Sequence, residues 1–116
     1  MSTLTTVEVL RETKTLLEQR GWHKGWYFPL ATANGDEPSP DCPLCLLGAL
    51  DVAAGGTPGD CTEASMAAQR VISGVLFARN FFAGVGTWND AQDRTLAEVY
   101  ALLDKAIELT EAGDPR

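Results

Sequence analysis

Apolar side chains recur at helical spacing in four stretches of this chain, and glycine, proline and acidic residues mark the gaps. From about Thr6 to Arg20, Val7, Leu10 and Leu17 fall on one stripe that Leu4, Val9 and Leu16 widen. Gly21 supplies the stop expected just beyond a helix. Asp41 is placed as the N-cap of a second helix, with Pro43 tolerated in its first turn because its missing N–H would be unpaired there anyway. That helix runs through Leu44, Leu47, Leu50 and Ala54 and stops at Gly55-Gly56. Asp60, with Glu63 three residues on, opens a third helix whose apolar face includes Ala64, Ala67, Ala68, Val71, Val75 and Phe77-Ala78. Gly74 inside it costs about 1 kcal/mol relative to alanine, which predicts tight packing or a bend there. Gly84 and Gly86 close this segment and lead into a loop, Thr87 to Thr95. Thr95 and Glu98 then cap a last helix carrying Leu96, Val99, Leu103, Ala106, Ile107 and Thr110 to an end near Gly113.

The stretch after the first helix follows a different rule. Trp22 to Leu30 is aromatic-rich and broken by Gly25 and Pro29, and Asn34-Gly35 is a hairpin-turn pair. The returning arm would contain Pro38 and Pro40, which disfavour a regular strand. The expected fold is therefore mainly α: about four packed helices, with an irregular aromatic-rich loop or marginal hairpin after helix 1. At 116 residues with 45% apolar and 22% charged content, the chain is read as one domain, 1–116, able to bury an ordinary core.

Charge narrows the function classes. The net charge is −7, and no Lys or Arg lies between Lys24 and Arg70, where Asp36, Glu37, Asp41, Asp51, Asp60 and Glu63 all fall. Nucleic-acid binding needs basic residues to neutralise phosphates, so direct DNA or RNA binding is not expected. The acidic surface serves solubility, or docks on a basic partner. No apolar run approaches the roughly 20 residues of a membrane span, and the first residues lack the pattern of a signal peptide. Three cysteines without an export signal point to reduced thiols in the cytoplasm.

The candidate chemistry gathers around Asp41-Cys42-Pro43-Leu44-Cys45. A thiol at a helix start sits near the positive end of the dipole, where its pKa tends to fall. In the plainest reading Cys45 is a small core residue, since free cysteine is among the most buried residue types. In a thiol enzyme of the hydrolase or transferase type, Cys45 is the nucleophile, His23 the base, and Asn89 or Asp90 the group that orients the imidazole. In a structural zinc site, Cys42, Cys45, Cys61 and His23 supply three thiolates and one imidazole, although Pro43-Leu44 is not the usual tight knuckle. Redox exchange by Cys42 and Cys45 would want a βαβ unit, which the pattern lacks. No cofactor is expected.

Trp88-Asn89-Asp90 invites a similar choice. Asn and Asp favour turns and caps, so the motif can simply cap the last helix while Trp88 plugs the core. Alternatively Trp88 stacks a ligand that Asn89, Asp90 and Arg94 bond. Trp22, Trp26, Tyr27 and Phe28 are four large rings within seven positions, more than a short chain buries easily. An exposed remainder would form a contact patch.

Cys45-Leu46-Leu47-Gly48-Ala49-Leu50, taken with Trp88-Asn89-Asp90, Arg94-Thr95 and Glu98-Val99, resembles a family of small uncharacterised actinobacterial and actinophage proteins. Such proteins open with a helix ending in a Gly-Trp pair, to which Gly21-Trp22 and Gly25 are similar. They continue with a Cys-x-x-Gly-Ala helix and finish with a Trp-Asn-Asp loop before an Arg-Thr-x-x-Glu-Val helix. The resemblance implies a domain of unknown function and adds no activity; Cys42 and Cys61 lie outside its pattern. The leading expectation is a non-catalytic binding module contacting a protein or a small molecule through the acidic and aromatic loop 22–41. A Cys45 enzyme is the alternative, and Gly48-Ala49 marks the second helix as a packing centre.

Overall fold

The computed structural model describes residues 5–24 and 43–113. Among these residues five helices follow one another: α1 (Thr6–Arg20), α2 (Leu46–Ala53), α3 (Glu63–Ala78), α4 (Val85–Asp90) and α5 (Leu96–Gly113). Among the described residues the only extended pairing is a single parallel bridge between Trp22 and Leu44. No helix among them is long and apolar enough to cross a membrane.

Each boundary has a local cause. Thr5 caps α1 reciprocally with Glu8: Thr5 N–H donates to Glu8 Oε1 at 2.8 Å, and Glu8 N–H to Thr5 Oγ1 at 3.2 Å. Gly21 ends the helix at φ 92°, a conformation that glycine adopts without a Cβ penalty, and its N–H reaches Leu17 O at 3.0 Å. The predicted span of α1 is thus the observed one, although the buried face centres on Val9, Leu10, Thr13 and Leu17, and Val7 is only half-buried. The last helix also begins as expected, with Thr95 N–H on Glu98 Oε1 at 3.0 Å and Glu98 N–H on Thr95 Oγ1 at 3.3 Å.

Three boundaries differ from the sequence reading. The second helix starts at Leu46 with Cys45 as its N-cap, because Leu44 is held extended against Gly21 and His23. Asp41, the expected cap, lies outside the described residues. The third helix is capped by Thr62 rather than Asp60: Ser65 N–H donates to Thr62 Oγ1 at 3.2 Å and Thr62 N–H to Ser65 Oγ at 2.8 Å. Asp60 instead accepts from the Thr57 hydroxyl at 3.2 Å. Finally, Trp88-Asn89-Asp90 belongs to a short helix and not a loop. Gly84, at φ 101°, is its N-cap, and spacing of three and four residues turns Val85, Trp88 and Asn89 inward.

One apolar cluster draws on all five helices, with Leu10, Leu17, Leu46, Leu50, Ile72, Leu76, Leu102 and Leu103 among its fully buried side chains. The central helix α1 packs on α2, α3 and α5. Its contact with α5 is edged by Lys14–Asp104 at 2.9 Å and by an Arg11–Glu111 ion pair, while α4 approaches α2 where Gly86 faces Leu47. Gly74 is neither tightly packed nor in a special conformation: an added Cβ would meet nothing within 4 Å.

Candidate functional site

The polar centre of the molecule is the side-chain amide of Asn89, which is fully buried. A primary amide offers two acceptor positions and two donor hydrogens. Here Asn89 Oδ1 accepts from Trp22 Nε1–H at 2.6 Å and from Leu46 N–H at 3.2 Å. Asn89 Nδ2 donates to His23 O at 3.2 Å and to Asp90 Oδ1 at 3.0 Å. All four positions are therefore filled, and they tie together the end of the α1 connection, the first turn of α2 and the end of α4.

The same junction closes residues 25–42 at the base. Leu44 N–H donates to Gly21 O at 3.1 Å and His23 N–H donates to Leu44 O at 3.0 Å, so the two flanks of that segment run side by side. Lys24 Nζ donates to Ala91 O at 2.9 Å and Gln92 O at 3.0 Å, and lies 5.3 Å from the centre of the Trp22 ring system. Sequence reasoning did not single out Lys24; its one signal was being the last cation before a long acidic stretch.

Trp88 is held from the other side. The Arg94 guanidinium sits 3.8 Å from the Trp88 ring centre, Arg94 Nε donates to Trp88 O at 2.8 Å, and Arg94 Nη1 pairs with Glu98 Oε2 at 3.0 Å. Trp88 is itself buried, and its ring and Arg94 are committed to each other.

Cys45 is buried at the mouth of α2, where its Sγ accepts from Gly48 N–H at 3.3 Å. It thus occupies the N-cap role usually taken by a hydroxyl or carboxylate oxygen. Burial raises the thiol pKa above its ordinary 9.0 more than the backbone hydrogen bonds of Gly48 and Leu47 lower it, and the nearby charges of Asp90 and Asp51 push it further up. At neutral pH the group is S–H. The dipole argument of the sequence is therefore outweighed by desolvation.

The structure brings Trp22, His23, Asn89, Asp90 and the start of α2 into one junction. His23 joins it through its main chain: Asn89 bonds its carbonyl, and no hydrogen bond to its imidazole occurs among the described residues. Cys61 is exposed in the turn before α3. Cys42 and Trp26 lie outside the described residues, as do the Asn34-Gly35 turn and most of loop 22–41. Among the described residues no three His, Cys, Asp or Glu side chains are grouped closely enough to hold a metal ion.

A second polar staple escaped the sequence reading. Asp51, on α2, is buried and accepts from Gly59 N–H at 2.9 Å, while Gly56 N–H bonds its main-chain oxygen at 2.9 Å. Burial raises its carboxyl pKa above the ordinary 3.8, against the opposing hydrogen bonds from Gly59 and Ser65. A single acid inside the apolar run Leu50-Asp51-Val52-Ala53 was the available signal.

A family model described as "Family of unknown function (DUF6197)" matches residues 1–109. No curated protein and no solved structure matches the chain.

Proposed function

The chain belongs to this family, DUF6197, and from its own residues we propose that it is a small non-catalytic binding module whose contact surface lies in residues 22–41. The observation that carries this reading is the Asn89 junction. The groups that a Cys45 enzyme would need are otherwise engaged: Asn89 is saturated by structural hydrogen bonds, and the Cys45 thiol is buried and protonated. The same junction gives the aromatic and acidic segment a firm base on Trp22, Lys24 and Leu44. Trp26, Tyr27 and Phe28 supply apolar area, while Asp36, Glu37 and Asp41 favour a partner with a basic surface.

The cytoplasm is the compartment that fits free Cys45 and Cys61 thiols, and the motifs suit an actinobacterial or actinophage source. The test replaces residues 26–41 by a short Gly/Ser linker and compares cross-linked host proteins recovered with this variant, wild type and Cys45→Ala. The linker variant should melt cooperatively and lose the partner, while Cys45→Ala keeps it. A partner retained without residues 26–41 overturns the assignment of the surface. Loss of a catalysed reaction in Cys45→Ala overturns the non-catalytic reading.

A further inference from the structure

The outward face of α3 carries a second surface, on an element that takes no part in the Asn89 junction. Met66, Arg70 and Phe77 fall within about 40° of one another around the helix, along about 16 Å of its length. Met66 is 45% exposed, Phe77 64% and Phe82 62%, whereas most large apolar side chains among the described residues are covered. Phe82, in the turn after α3, meets the Phe77 ring edge-on, with centroids 4.4 Å apart and planes at 77°. That turn is well defined: Arg79 N–H and Phe81 N–H both reach Leu76 O at 2.9 Å, Asn80 N–H reaches Phe77 O at 3.0 Å, and Phe81 packs onto the core. Two rings held outward on an ordered turn offer contact area with little ordering entropy left to lose.

The charges around these rings run against the rest of the protein. Arg11, Lys14, Arg94 and Lys105 each pair with an acid, Lys24 is bound to two carbonyls, and Arg20 also has a partner. Arg70 and Arg79 are exposed and have no ion-pair or hydrogen-bond partner among the described residues. Arg70 lies two turns before Phe77 and Arg79 two residues after it, so the unpaired cations flank the rings. Glu63 stands on the same face at its N-terminal end, one turn before Met66, so in a protein of net charge −7 the local reversal of sign is confined to the end that carries Arg70, Phe77, Arg79 and Phe82.

We infer that this face docks an acidic peptide segment of a partner protein, its apolar residues on Phe77, Phe82 and Met66 and its carboxylates on Arg70 and Arg79. A two-fold contact between copies of this chain would bring like charges together on the axis, and two acidic chains repel. Charge complementarity therefore favours a foreign acidic segment. Neither the reading of residues 22–41 as a contact surface nor its failure bears on this one.

The probe is a fluorescein-labelled peptide in which glutamates flank leucine and phenylalanine, measured by anisotropy beside the same peptide with lysine for glutamate. Wild type should bind the glutamate peptide at least about tenfold more tightly, and salt should weaken the complex. The double variant R70E/R79E should reverse the preference, and F77S/F82S should abolish binding of both peptides. All four positions are exposed, and cooperative melts of both variants check that they remain folded. Equal affinity for the two peptides overturns the proposal, as does glutamate-peptide binding that either double variant leaves unchanged. So does a wild-type dimer in sedimentation that F77S/F82S dissolves, or binding to phosphatidylglycerol vesicles in place of the peptide.

Discussion

The Trp22 indole donates to Asn89 Oδ1 at 2.6 Å, joining two residues 67 positions apart in the chain. The bond explains why Trp22 stays half-buried at the edge of the fold: its ring lies over the junction while its only polar atom is matched inside. Asn89 in turn is buried because each of its amide positions has a partner, which removes the penalty that an unpaired amide would incur.

Replacing Asn89 should therefore be among the most damaging single changes in the protein. Asn89→Ala leaves Trp22 Nε1–H, Leu46 N–H and His23 O without their partner, and the cost should be about 3 kcal/mol or more in urea unfolding. Trp22→Phe loses one bond and should cost about 1 kcal/mol from that loss. Asn89→Asp keeps the acceptors but sets a carboxylate beside Asp90, so its deficit should shrink as acid protonates the new carboxyl. An Asn89→Ala variant as stable as wild type would show that the junction is not what closes the fold.

Thiol mapping should separate Cys45 from Cys61. Cys45 is 5% exposed, bonded to Gly48 N–H and raised in pKa by burial, whereas Cys61 is exposed. Iodoacetamide near neutral pH, read by peptide mass spectrometry, should label Cys61 and leave Cys45 unmodified until urea unfolds the chain. Rapid labelling of native Cys45 would restore it as a nucleophile candidate.

The elements legible in the sequence are those whose signals are local. The first helix announced itself through apolar spacing and Gly21, and the last through the Thr95–Glu98 box; both stand where the pattern placed them. The local pattern puts the start of α2 too early because the deciding interaction is the pairing of Leu44 with Gly21 and His23, more than twenty residues earlier. The short helix α4 was hidden by Gly84 and Gly86, which look like breakers although one is its cap and the other fits against Leu47. The sequence gives Asn89 a role on a ligand or an imidazole. Its four partners come from three separated segments, and no spacing rule brings those together.

Gly74→Ala should stabilise the protein. The glycine is exposed on α3, takes no positive φ, and leaves open space where a Cβ would stand. Alanine there gains helix propensity and restricts the unfolded chain, worth about 0.5–1 kcal/mol, without a clash to offset it. Thermal and urea unfolding should both shift upward. A loss of stability would mean that the glycine serves the helix in a way that its surroundings do not require.

Asp51 should give the stability a particular pH dependence. Burial raises its carboxyl pKa in the folded protein above 3.8, with the Asp60 charge adding to the effect, so between 3.8 and the folded value the unfolded chain has already released a proton that the folded one retains. Below 3.8 both states hold the proton and the group favours folding fully; as pH rises through the folded value that contribution is lost. Asp51→Asn cannot ionise, yet its side-chain oxygen can still accept from Gly59 N–H. The melting temperature of Asp51→Asn minus that of wild type should therefore climb from pH 3.8 upward and then level off toward neutrality. A difference that stays flat across that range would mean Asp51 ionises normally in the fold, and a falling one would mean that its hydrogen bonds outweigh its burial.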